Sequence, residues 1–572
     1  MTDLDPIVTE LIRHGLIAVA DEMARTLCRT AYNTVVYEIR DYGVGVHDAA
    51  GDVVADVPGI AAFTRANDVG IKHAVEFVGQ DAMRPGDVFL LNYPYWSSAH
   101  TLDALMFAPI HHGGRLVGYS SCRVHLLDLK QKDPGYVLDS TDMAQEGIFF
   151  PVSRLYSEGV PNEDIWNIVR FNSRMPEATI GDMQAQVATC ITGVRRTQEL
   201  AARYGVDTVL EAMGQIHEHG AQLALAGLRT LPNGSWTAHD FVDNDGVDRD
   251  RPIRLQVTVT VTDDEMIVDW TGSERDVRGP INIPRGLTES ISCLIFKSLT
   301  TPDSPVTAGN FRPLRVITDP GSVMHAVPPQ PTFTMWPGLL AGEVILRALA
   351  QGMPDHVPAC SGGDISSLMT LGTHSQTGLP WVQAGNEAVG FGGNAAADGE
   401  DGIMHLSEPG CRNTPVEVIE SKAPLFIEAY GYREDSGGPG MNRGGVGVSR
   451  RYRFLAPSTA ISLLYKSDTA PWAIGDGHEG THNHLILNPG SANLRFANST
   501  RDVAAGDIIV NNTGGGGGYG NPLERSPQRV ADDVRNGFVS LDAARERYGV
   551  VIDPATSSVD EQATASLRGG AR

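Results

Sequence analysis

The sequence predicts a multi-domain α+β protein whose helices and strands are segregated along the chain. Residues 160–230 carry apolar side chains at helical spacing, whereas beyond residue 250 the period falls to two, with Val257, Val259 and Val261 on one face of a strand. The 572 residues also exceed the usual size of a single hydrophobic core. We therefore expect a β-rich N-terminal region, a helical hairpin or bundle in the middle, and a β-rich, glycine-rich C-terminal half.

The N-terminal region is predicted to begin with one helix followed by two strands. Between residues 5 and 33 apolar side chains recur every three to five positions, which indicates an amphipathic helix. The side chains of residues 35–48 alternate in character as they do in a β-strand. The turn-forming residues 48–51 then lead into a second strand at 52–57. This assignment places Asp41 inside the first strand. An isolated aspartate of this kind most often forms a surface ion pair or accepts hydrogen bonds in a turn.

A hairpin follows in the same region. Strands are predicted at 107–110 and 116–120, with the sequence HHGG at 111–114 as the turn between them. The segments that carry His100 and His125 would then lie side by side at the open ends of the hairpin.

Two HxxD patterns occupy those segments and suggest metal binding. His100 and Asp103 form the first pattern, and His125 and Asp128 form the second. Imidazole and carboxylate ligands suit Zn, Mn or Fe, and a site with three protein ligands leaves a coordination position open. Such pairs also arise by chance in a chain with 17 histidines, where imidazoles form ordinary hydrogen bonds and aspartates cap turns. The spacing alone leaves both interpretations open.

Three helices are predicted in the middle of the chain, at 161–172, 176–205 and 206–231. They would form a helical hairpin or a small bundle. His217 and His219 cannot share one face of the third helix, so we assign them to the solvated surface.

The C-terminal half is predicted to consist of strands linked by glycine-rich turns. No GxxxxGK[ST] sequence occurs, so these turns are not assigned to phosphate binding. The five glycines at 514–518 suit either a hinge or a tight wall of the site. Residues 527–550 predict two short helices, and the Ser/Ala/Gly-rich tail from about 554 predicts disorder. The domain boundaries are placed at 1–160, 161–232, 233–525 and 526–572.

Composition excludes several classes of function. The net charge of −24 argues against nucleic acid and anionic membranes as general partners, since both select basic surfaces. Six scattered cysteines without a CxxC pair are typical of a reducing compartment, and the acidic N-terminus lacks the pattern of a secretory signal. We expect a cytoplasmic protein that acts on a small molecule or binds another protein.

The region from 92 to 147 resembles the core of the hydantoinase B/oxoprolinase family. That family shows NDPYxGGTHLPD, then an HxxD segment running into GG, and later QEG. This sequence matches the first pattern at Asn92, Pro94, Tyr95, His100, Leu102 and Asp103. It matches the later patterns at His125, Asp128, Asp133, Pro134, Gly135, Gln145, Glu146 and Gly147. Further blocks that resemble family motifs follow in the family's order at 38–55, 270–284, 413–420, 435–447, 471–480 and 513–525.

The resemblance implies roles for several acidic residues. Asp41 falls on the acidic position of the family's DFS motif, which makes it a fourth metal ligand or a group that orients a ligating histidine. Asp41, Asp128 and Glu146 are the candidates for a general base. The expected ligands of the divalent ion, Zn, Mn or Fe, are His100, Asp103, His125 and Asp41.

The resemblance also implies a reaction. Family members generally consume ATP, which an A-type partner of the actin/hexokinase-like class binds. The leading hypothesis is the metal-bearing B-type subunit of an ATP-dependent amidohydrolase that opens a hydantoin, an oxoproline or another lactam, with ATP activating the amide and the ion activating water. Two alternatives remain, the metal subunit of an ATP-dependent ketone carboxylase of the acetone or acetophenone type, and a non-catalytic scaffold. The chain is expected to work in a hetero-oligomer.

Five positions depart from the family pattern. Tyr93 replaces an aspartate, and glycines are replaced by the pairs Ser97 with Ser98 and Lys130 with Gln131. Side chains at glycine positions restrict the approach of the backbone to a ligand. These departures leave the expected metal ligands intact, so they bear on substrate and mechanism more than on metal binding.

Overall fold

The computed structural model describes residues 4–363, 366–375 and 377–570. Within them the helices are α1 Pro6–Thr30, α2 Phe63–Val78, α3 Pro94–Ser97, α4 Glu163–Asn172, α5 Pro176–Tyr204, α6 Val206–Leu228, α7 Arg285–Thr300, α8 Trp336–Leu349, α9 Val416–Lys422, α10 Pro527–Arg535, α11 Leu541–Tyr548 and α12 Glu561–Gly570. The strands are β1 Tyr42–Asp48, β2 Val53–Pro58, β3 Val88–Leu91, β4 Asp103–His112, β5 Arg115–His125, β6 Ser153–Ser157, β7 Val160–Pro161, β8 Gly234–Val242, β9 Ile253–Val261, β10 Met266–Asp269, β11 Leu314–Ile317, β12 Ser366–Thr373, β13 Pro380–Glu387, β14 Leu425–Tyr432, β15 Val448–Phe454, β16 Ser458–Leu463, β17 His484–Leu487, β18 Leu494–Phe496, β19 Ser499–Val503 and β20 Ile508–Asn512. The α+β class that the sequence predicts is confirmed. Among the described residues, no helix has both the length and the apolar character needed to cross a bilayer.

The N-terminal region is built on a seven-stranded antiparallel sheet with the order β2-β1-β5-β4-β3-β6-β7. Helices α1 and α5 cover one face of this sheet, and α2 covers the other. Strand β4 contributes to both cores, since Met106 belongs to the cluster with α1 and α5 whereas Leu105 and Phe107 belong to the cluster with α2. The predicted hairpin is confirmed, and its strands extend as far as Asp103 and His125.

The first predicted strand begins later than the alternation of side chains suggests. Val35–Ile39 form a π-helical turn, and β1 starts only at Tyr42. Arg40 leaves the turn in a left-handed conformation with φ of 67°, and Asp41 donates its N–H to the carbonyl of Val35 at 3.0 Å. These main-chain hydrogen bonds, which side-chain alternation does not report, override the strand pattern. Asp41 is therefore held at the junction of turn and strand, an irregularity of the kind often found at functional sites.

The three predicted helices in the middle of the chain are confirmed as α4, α5 and α6. Helix α5 packs on β4 and β5, so it supports the strands of the hairpin. The assignment of His217 to the solvated surface is wrong. Its ring is buried, with Nδ1 2.5 Å from the hydroxyl oxygen of Thr307 and Nε2 3.3 Å from Asp48 Oδ2. Helix α6 packs against α1 and α7, contacts that the periodicity of one helix cannot report.

Three smaller sheets lie in the rest of the described chain. The second sheet has the order β11-β10-β9-β8, with β10 and β11 parallel, and α8 packs on it. The third, β13-β12-β16-β19, and the fourth, β14-β15-β20-β17-β18, share a buried cluster that includes Leu368, Tyr452 and Phe454. The opposite face of the third sheet, with Ser367 and Met369, lines a cavity shared with the first sheet.

The glycine run at 514–518 is a buried segment of irregular backbone that follows β20, rather than a hinge. The N–H of Gly516 donates to the carbonyl of Gly445 at 3.0 Å, and a Cβ atom at Gly516 would lie 1.9 Å from the carbonyl oxygen of Phe391. Glycine is required here because other stretches of backbone approach too closely for a side chain. The run does not line the cavity.

The two short helices predicted near the C-terminus are α10 and α11. A third helix, α12, occupies Glu561–Gly570, where composition predicts a flexible tail. Arg568 accounts for the difference, because its guanidinium donates to the carbonyls of Arg525 and Tyr548 and so ties α12 to the preceding chain. Residues 571–572 of the predicted tail lie outside the described residues.

Candidate metal centre

His100, Asp103 and His125 form one buried cluster at the end of the β4–β5 pair. Asp103 and His125 are direct partners across the two strands, and Asp103 Oδ1 lies 3.1 Å from His125 Nδ1. The same carboxylate oxygen lies 3.4 Å from His100 Nε2. One potential ligand atom from each residue lies within 4.8 Å of the other two. The hairpin therefore brings together the three residues that the HxxD patterns suggested.

Aromatic rings fix the orientation of the two histidines. His100 stacks on Phe333 with 5.2 Å between ring centroids, and His125 lies parallel to Tyr136 at 6.5 Å. Arg123 is fully buried nearby and donates from Nη1 to the main-chain carbonyl at the start of β4 at 3.2 Å. The packing limits the freedom of the cluster, as a preorganised metal site requires.

The electrostatics of the cluster suit a cation. Burial lowers the pKa of His100 to about 4, so this ring is neutral at pH 7. Burial opposes ionisation of Asp103, but the neighbouring His100 and His125 outweigh that effect and lower the pKa of the carboxyl. Burial also favours a neutral His125, yet the hydrogen bond to Asp103 and the charge of Asp41 raise its pKa. A neutral imidazole and an ionised carboxylate are ready to bind, whereas His125 keeps its proton to a higher pH than an ordinary histidine and binds an ion only after losing it.

The cluster opens into a cavity of about 100 Å³. Its walls come from the first sheet, from α7, from the start of α8 and from the third sheet, so they span residues 35 to 463 of the chain. Most of the lining is aliphatic or aromatic. Beyond the cluster, the polar side chains on the walls are Asp41, Tyr136, Thr334, Ser367, Asn386 and Glu408.

Two further carboxylates, those of Asp41 and Glu408, lie on this cavity. Burial and the charge of Asp103 raise the pKa of Asp41 to about 7, although His125 opposes the shift. Burial together with the charges of Asp41 and Asp103 raises the pKa of Glu408 well above its ordinary value. Among the described residues, Asp41 Oδ1 and Glu408 Oε2 are buried without a hydrogen-bond partner. Buried polar atoms of this kind point to a bound group that would satisfy them.

Sequence reasoning identified Asp41 but missed Glu408. Asp41 lies beside the cluster, outside the group of three whose ligand atoms are within 4.8 Å of one another. Glu408 lies in a loop of the C-terminal half, far along the chain from both HxxD patterns, and no periodicity marks it. Its position just before the family-like block at 413–420 is the one signal that the sequence offers.

Asp128 and Glu146, the other candidates for a general base, lie outside the cavity lining. Asp128 Oδ1 pairs with Arg174 Nη1 at 2.7 Å, and Oδ2 accepts the main-chain N–H of the same arginine. Glu146 Oε1 accepts the main-chain N–H groups of Thr332 and Phe333 at 2.9 and 3.1 Å. Both carboxylates hold loops in place, and Glu146 holds the loop whose phenyl ring stacks on the cluster.

The departures from the family pattern have local structural roles. Ser98 and Lys130, which stand where the family has glycine, adopt left-handed conformations with φ of 64° and 65°. Glycine adopts that conformation without steric cost, which accounts for the family pattern. Tyr93 packs edge-on against Trp96, and Gln131 hydrogen-bonds to the main chain of its own loop.

Comparison with known proteins supports the assignment to a family. The family model described as hydantoinase B/oxoprolinase matches residues 5–522. The chain is 30% identical over 595 aligned positions to a protein from Pseudomonas sp. (strain NS671) that is named as the putative B-type subunit of a D-/L-hydantoinase, with 99% of this chain and 98% of that protein covered.

Two solved structures share the fold. The crystal structure of the ATP-dependent caprolactamase from Pseudomonas jessenii is 27% identical, with a TM-score of 0.92 over 99% of this chain and 100% of that one. A nucleotide-free structure of acetone carboxylase is 20% identical, with a TM-score of 0.91 over 99% of this chain and 83% of that one, a likeness that concerns the fold alone. The family model spans nearly the whole chain, and the full-length relatives agree with it. This protein belongs to the hydantoinase B/oxoprolinase family.

Proposed function

We propose that this chain is the metal-bearing subunit of an ATP-dependent hydrolase of cyclic amides, and that His100, Asp103 and His125 bind a divalent cation. The observation that carries the proposal is the buried group of two imidazoles and one carboxylate on the wall of a mostly apolar cavity. The names of relatives support the same reaction class, since one is a hydantoinase subunit and another is a caprolactamase.

The donor set suits a transition metal. Imidazole nitrogen together with carboxylate oxygen is a combination that Zn, Mn and Fe accept. Asp41 Oδ1, which is buried beside the cluster without a partner among the described residues, would act as a fourth ligand or accept a hydrogen bond from a bound group. A bound ion would supply Lewis acidity and make water more acidic.

Asp41 is the residue best placed to accept a proton from an attacking water. Burial and the charge of Asp103 raise its pKa to about 7, which lets the carboxyl gain and lose a proton near neutral pH. Asp128 and Glu146 suit this role less well, because hydrogen bonds to neighbouring loops already occupy their oxygens. The apolar walls would keep bulk water away from the reacting carbonyl.

The overall reaction needs a partner. This sequence has no GxxxxGK[ST] loop, and the caprolactamase that it resembles is named as ATP-dependent. An A-type subunit would transfer the terminal phosphoryl group of ATP to the amide oxygen and so make the carbonyl carbon reactive. Water then forms the new C–O bond and the ring C–N bond breaks, with the nitrogen leaving as an amine from a lactam or as a ureido group from a hydantoin, and ADP and phosphate are released.

The decisive experiment is an ATP-hydrolysis assay on this chain copurified with its A-type partner. Cyclic amides (hydantoin, 5-oxoproline, caprolactam) are compared with ketones (acetone, acetophenone) plus bicarbonate. We expect ATP turnover and a ring-opened product with at least one cyclic amide. Asp103→Asn should abolish that turnover, whereas Asp81→Asn, a change at an exposed aspartate, should leave it intact.

Two outcomes would contradict the proposal. Turnover with ketone and bicarbonate alone would identify a ketone carboxylase instead. Full activity of the Asp103 variant, or a purified complex without stoichiometric metal, would point to a scaffold role for this subunit.

A further inference from the structure

Arg433 and Arg495 form a pair of cationic side chains near one end of the fourth sheet. Arg433 directly follows β14, and Arg495 lies on β18 opposite Ile486 of β17. The two guanidinium groups are near enough to interact, since burial and the charge of Arg495 lower the pKa of Arg433 to about 10. Two like charges that act on each other in this way favour a bound anion.

Arg433 is held in place by the main chain rather than by an acidic residue. Its Nη1 donates to the carbonyls of His482 at 3.0 Å and of Thr513 at 2.8 Å. Its Nε and Nη2 form no hydrogen bond to the described part of the chain, and the half-buried guanidinium makes no ion pair there. A charge that is partly removed from water is costly unless an opposite charge accompanies it. The free edge of this guanidinium is therefore suited to an anion.

The charge of Arg495 is likewise unbalanced. Its side chain is exposed and forms neither a hydrogen bond nor an ion pair with another described residue. The sequence contains 69 acidic residues against 45 lysines and arginines, so composition does not explain why neither guanidinium has an acidic partner. The two groups together present a fixed donor and a movable one.

The nearest titratable side chains do not cancel this positive charge. Burial and the charges of Arg433 and Arg495 lower the pKa of His484 to about 4, so that ring is neutral at pH 7. Burial and the charge of Arg495 also lower the pKa of His482, although the exposed Asp468 and Glu479 oppose that shift. Neither carboxylate forms an ion pair with one of the two arginines.

The chemistry of two guanidinium groups selects the anion. Each guanidinium presents N–H donors in a planar fork that matches the oxygens of a carboxylate or a phosphate group. A carboxylate carries a single negative charge and balances one arginine. A phosphate group carries roughly −1.5 to −2 charges at pH 7 and offers at least three acceptor oxygens, so it can balance both arginines at once.

We propose that Arg433 and Arg495 bind a phosphate group, which belongs either to inorganic phosphate or to a nucleotide. Neither arginine lines the cavity of the candidate metal centre, so this site is separate from it. The proposal is also independent of the proposed function, because binding at this site requires neither a cyclic amide nor the A-type partner.

Calorimetric titration of the purified full chain with sodium phosphate at pH 7.5 tests the proposal. Sodium chloride keeps the ionic strength constant, and sodium acetate serves as the anion with one charge. We expect saturable heat at millimolar phosphate with one phosphate bound per chain, and weaker binding of acetate. Titration with ATP and ADP then identifies the source of the phosphate group. Tighter binding of a nucleotide indicates a nucleotide site, whereas tighter binding of inorganic phosphate indicates a site for the free ion.

Substitution of either arginine should remove the binding. We expect Arg433→Gln and Arg495→Gln each to weaken phosphate binding at least about ten-fold, since the loss of one charge-assisted hydrogen bond has about that effect. Phosphate should also raise the melting temperature of the unmodified chain and leave that of each variant unchanged. Arg495→Gln keeps the test valid if the other variant is unstable, because its exposed side chain has no hydrogen bond to the described chain.

Arg251→Gln is the matched control. Arg251 is also an exposed arginine, but Glu274 balances its charge, so this variant should bind phosphate as the unmodified chain does. Absence of saturable heat at millimolar phosphate, or unchanged affinity in Arg495→Gln, would overturn the proposal. Equal weakening in the Arg251 variant would also overturn it, since general attraction of anions would then explain the binding. Acetate that binds as tightly as phosphate would rule out recognition of a phosphate group.

Discussion

Asp103 and His125 face each other across β4 and β5, with 3.1 Å between Asp103 Oδ1 and His125 Nδ1. The register of one hairpin thus sets the spacing between these two members of the candidate metal site. Successive side chains of a strand point to opposite faces, so a slip of one residue would turn one member of the pair away from the other. The turn at Gly113 and Gly114, both with positive φ, closes the hairpin, and a bulge between Ile110 and His111 shifts the pairing by one residue, which places Asp103 opposite His125.

Removal of one histidine should abolish metal binding. His125→Ala leaves two of the three clustered ligands, so we expect the purified variant to contain no stoichiometric metal by elemental analysis. His112→Ala, at the far end of the same hairpin, is the matched control and should keep full metal content. Stoichiometric metal in the His125 variant would contradict the ligand assignment.

Metal affinity should fall as the pH is lowered. Burial favours a neutral His125, but the hydrogen bond to Asp103 and the charge of Asp41 raise its pKa above the ordinary value of 6.5, whereas burial lowers the pKa of His100 to about 4. At pH 5 His125 therefore carries a proton that an ion must displace, while His100 does not.

Calorimetric titration of the metal-free protein in buffers of different ionisation enthalpy would count the protons released at pH 5. One proton indicates the site of three residues. Two protons indicate that Asp41, whose pKa is raised to about 7 by burial and by the charge of Asp103, also becomes a ligand. Release of no proton at pH 5 would be incompatible with His125 as a ligand.

The role of Asp128 can be tested by one isosteric change. Asp128→Asn removes the charge that pairs with Arg174, so we expect a loss of about 1–2 kcal/mol of unfolding free energy with unchanged metal content. Asp133→Asn, in the same loop and half-exposed, should be nearly neutral. Thermal denaturation and elemental analysis would measure both effects. Unchanged stability with lost activity would instead assign Asp128 to catalysis.

A glycine at position 130 should stabilise the protein. Lys130 is exposed and has φ of 65°, a conformation that costs a residue with a Cβ about 1 kcal/mol or more. We expect Lys130→Gly to raise the unfolding free energy by a few tenths to about 1 kcal/mol, because the greater freedom of glycine in the unfolded chain offsets part of the gain. Lys130→Ala keeps the Cβ and should bring no such gain. Equal stabilities of the two variants in denaturant titrations would refute the explanation.

A methyl group at position 516 should be poorly tolerated. The Cβ of Gly516→Ala would lie 1.9 Å from a main-chain oxygen, so we expect a loss of about 3 kcal/mol or more, or failure to fold. Gly431→Ala, on an open position of β14 with nothing within 4 Å, serves as the control and should be tolerated. Soluble yield and melting temperature would report the difference. A Gly516 variant as stable as the control would mean that the packing is looser than described.

The sequence predicted those features that depend on local pattern. Alternation and turn chemistry located the hairpin of β4 and β5, and helical spacing located α4 to α6, because each of these patterns is satisfied within one stretch of chain. The HxxD spacing identified three residues of the cluster for the same reason, since Asp103 and His125 are paired in one hairpin and His100 lies just before its first strand.

Features that depend on distant segments were not predictable in this way. Glu408 reaches the cavity through the packing of the C-terminal half against the first sheet, and no local pattern records that contact. The burial of His217 depends on Thr307, and the order of α12 depends on Arg568 bonding to an earlier helix. The π-helical turn before Asp41 is local, but it is a main-chain feature that the alternation of side chains conceals.

The buried glycine segment at 514–518 also has a consequence for hydrogen exchange. The amide of Gly516 donates to Gly445, that of Gly517 to Cys360 and that of Gly518 to His478, three segments that are far apart in sequence. No small fluctuation of one loop can expose these amides to solvent, because each is held by a different part of the C-terminal half. Their deuterium exchange should therefore require global opening, which makes the segment richest in glycine the slowest to exchange.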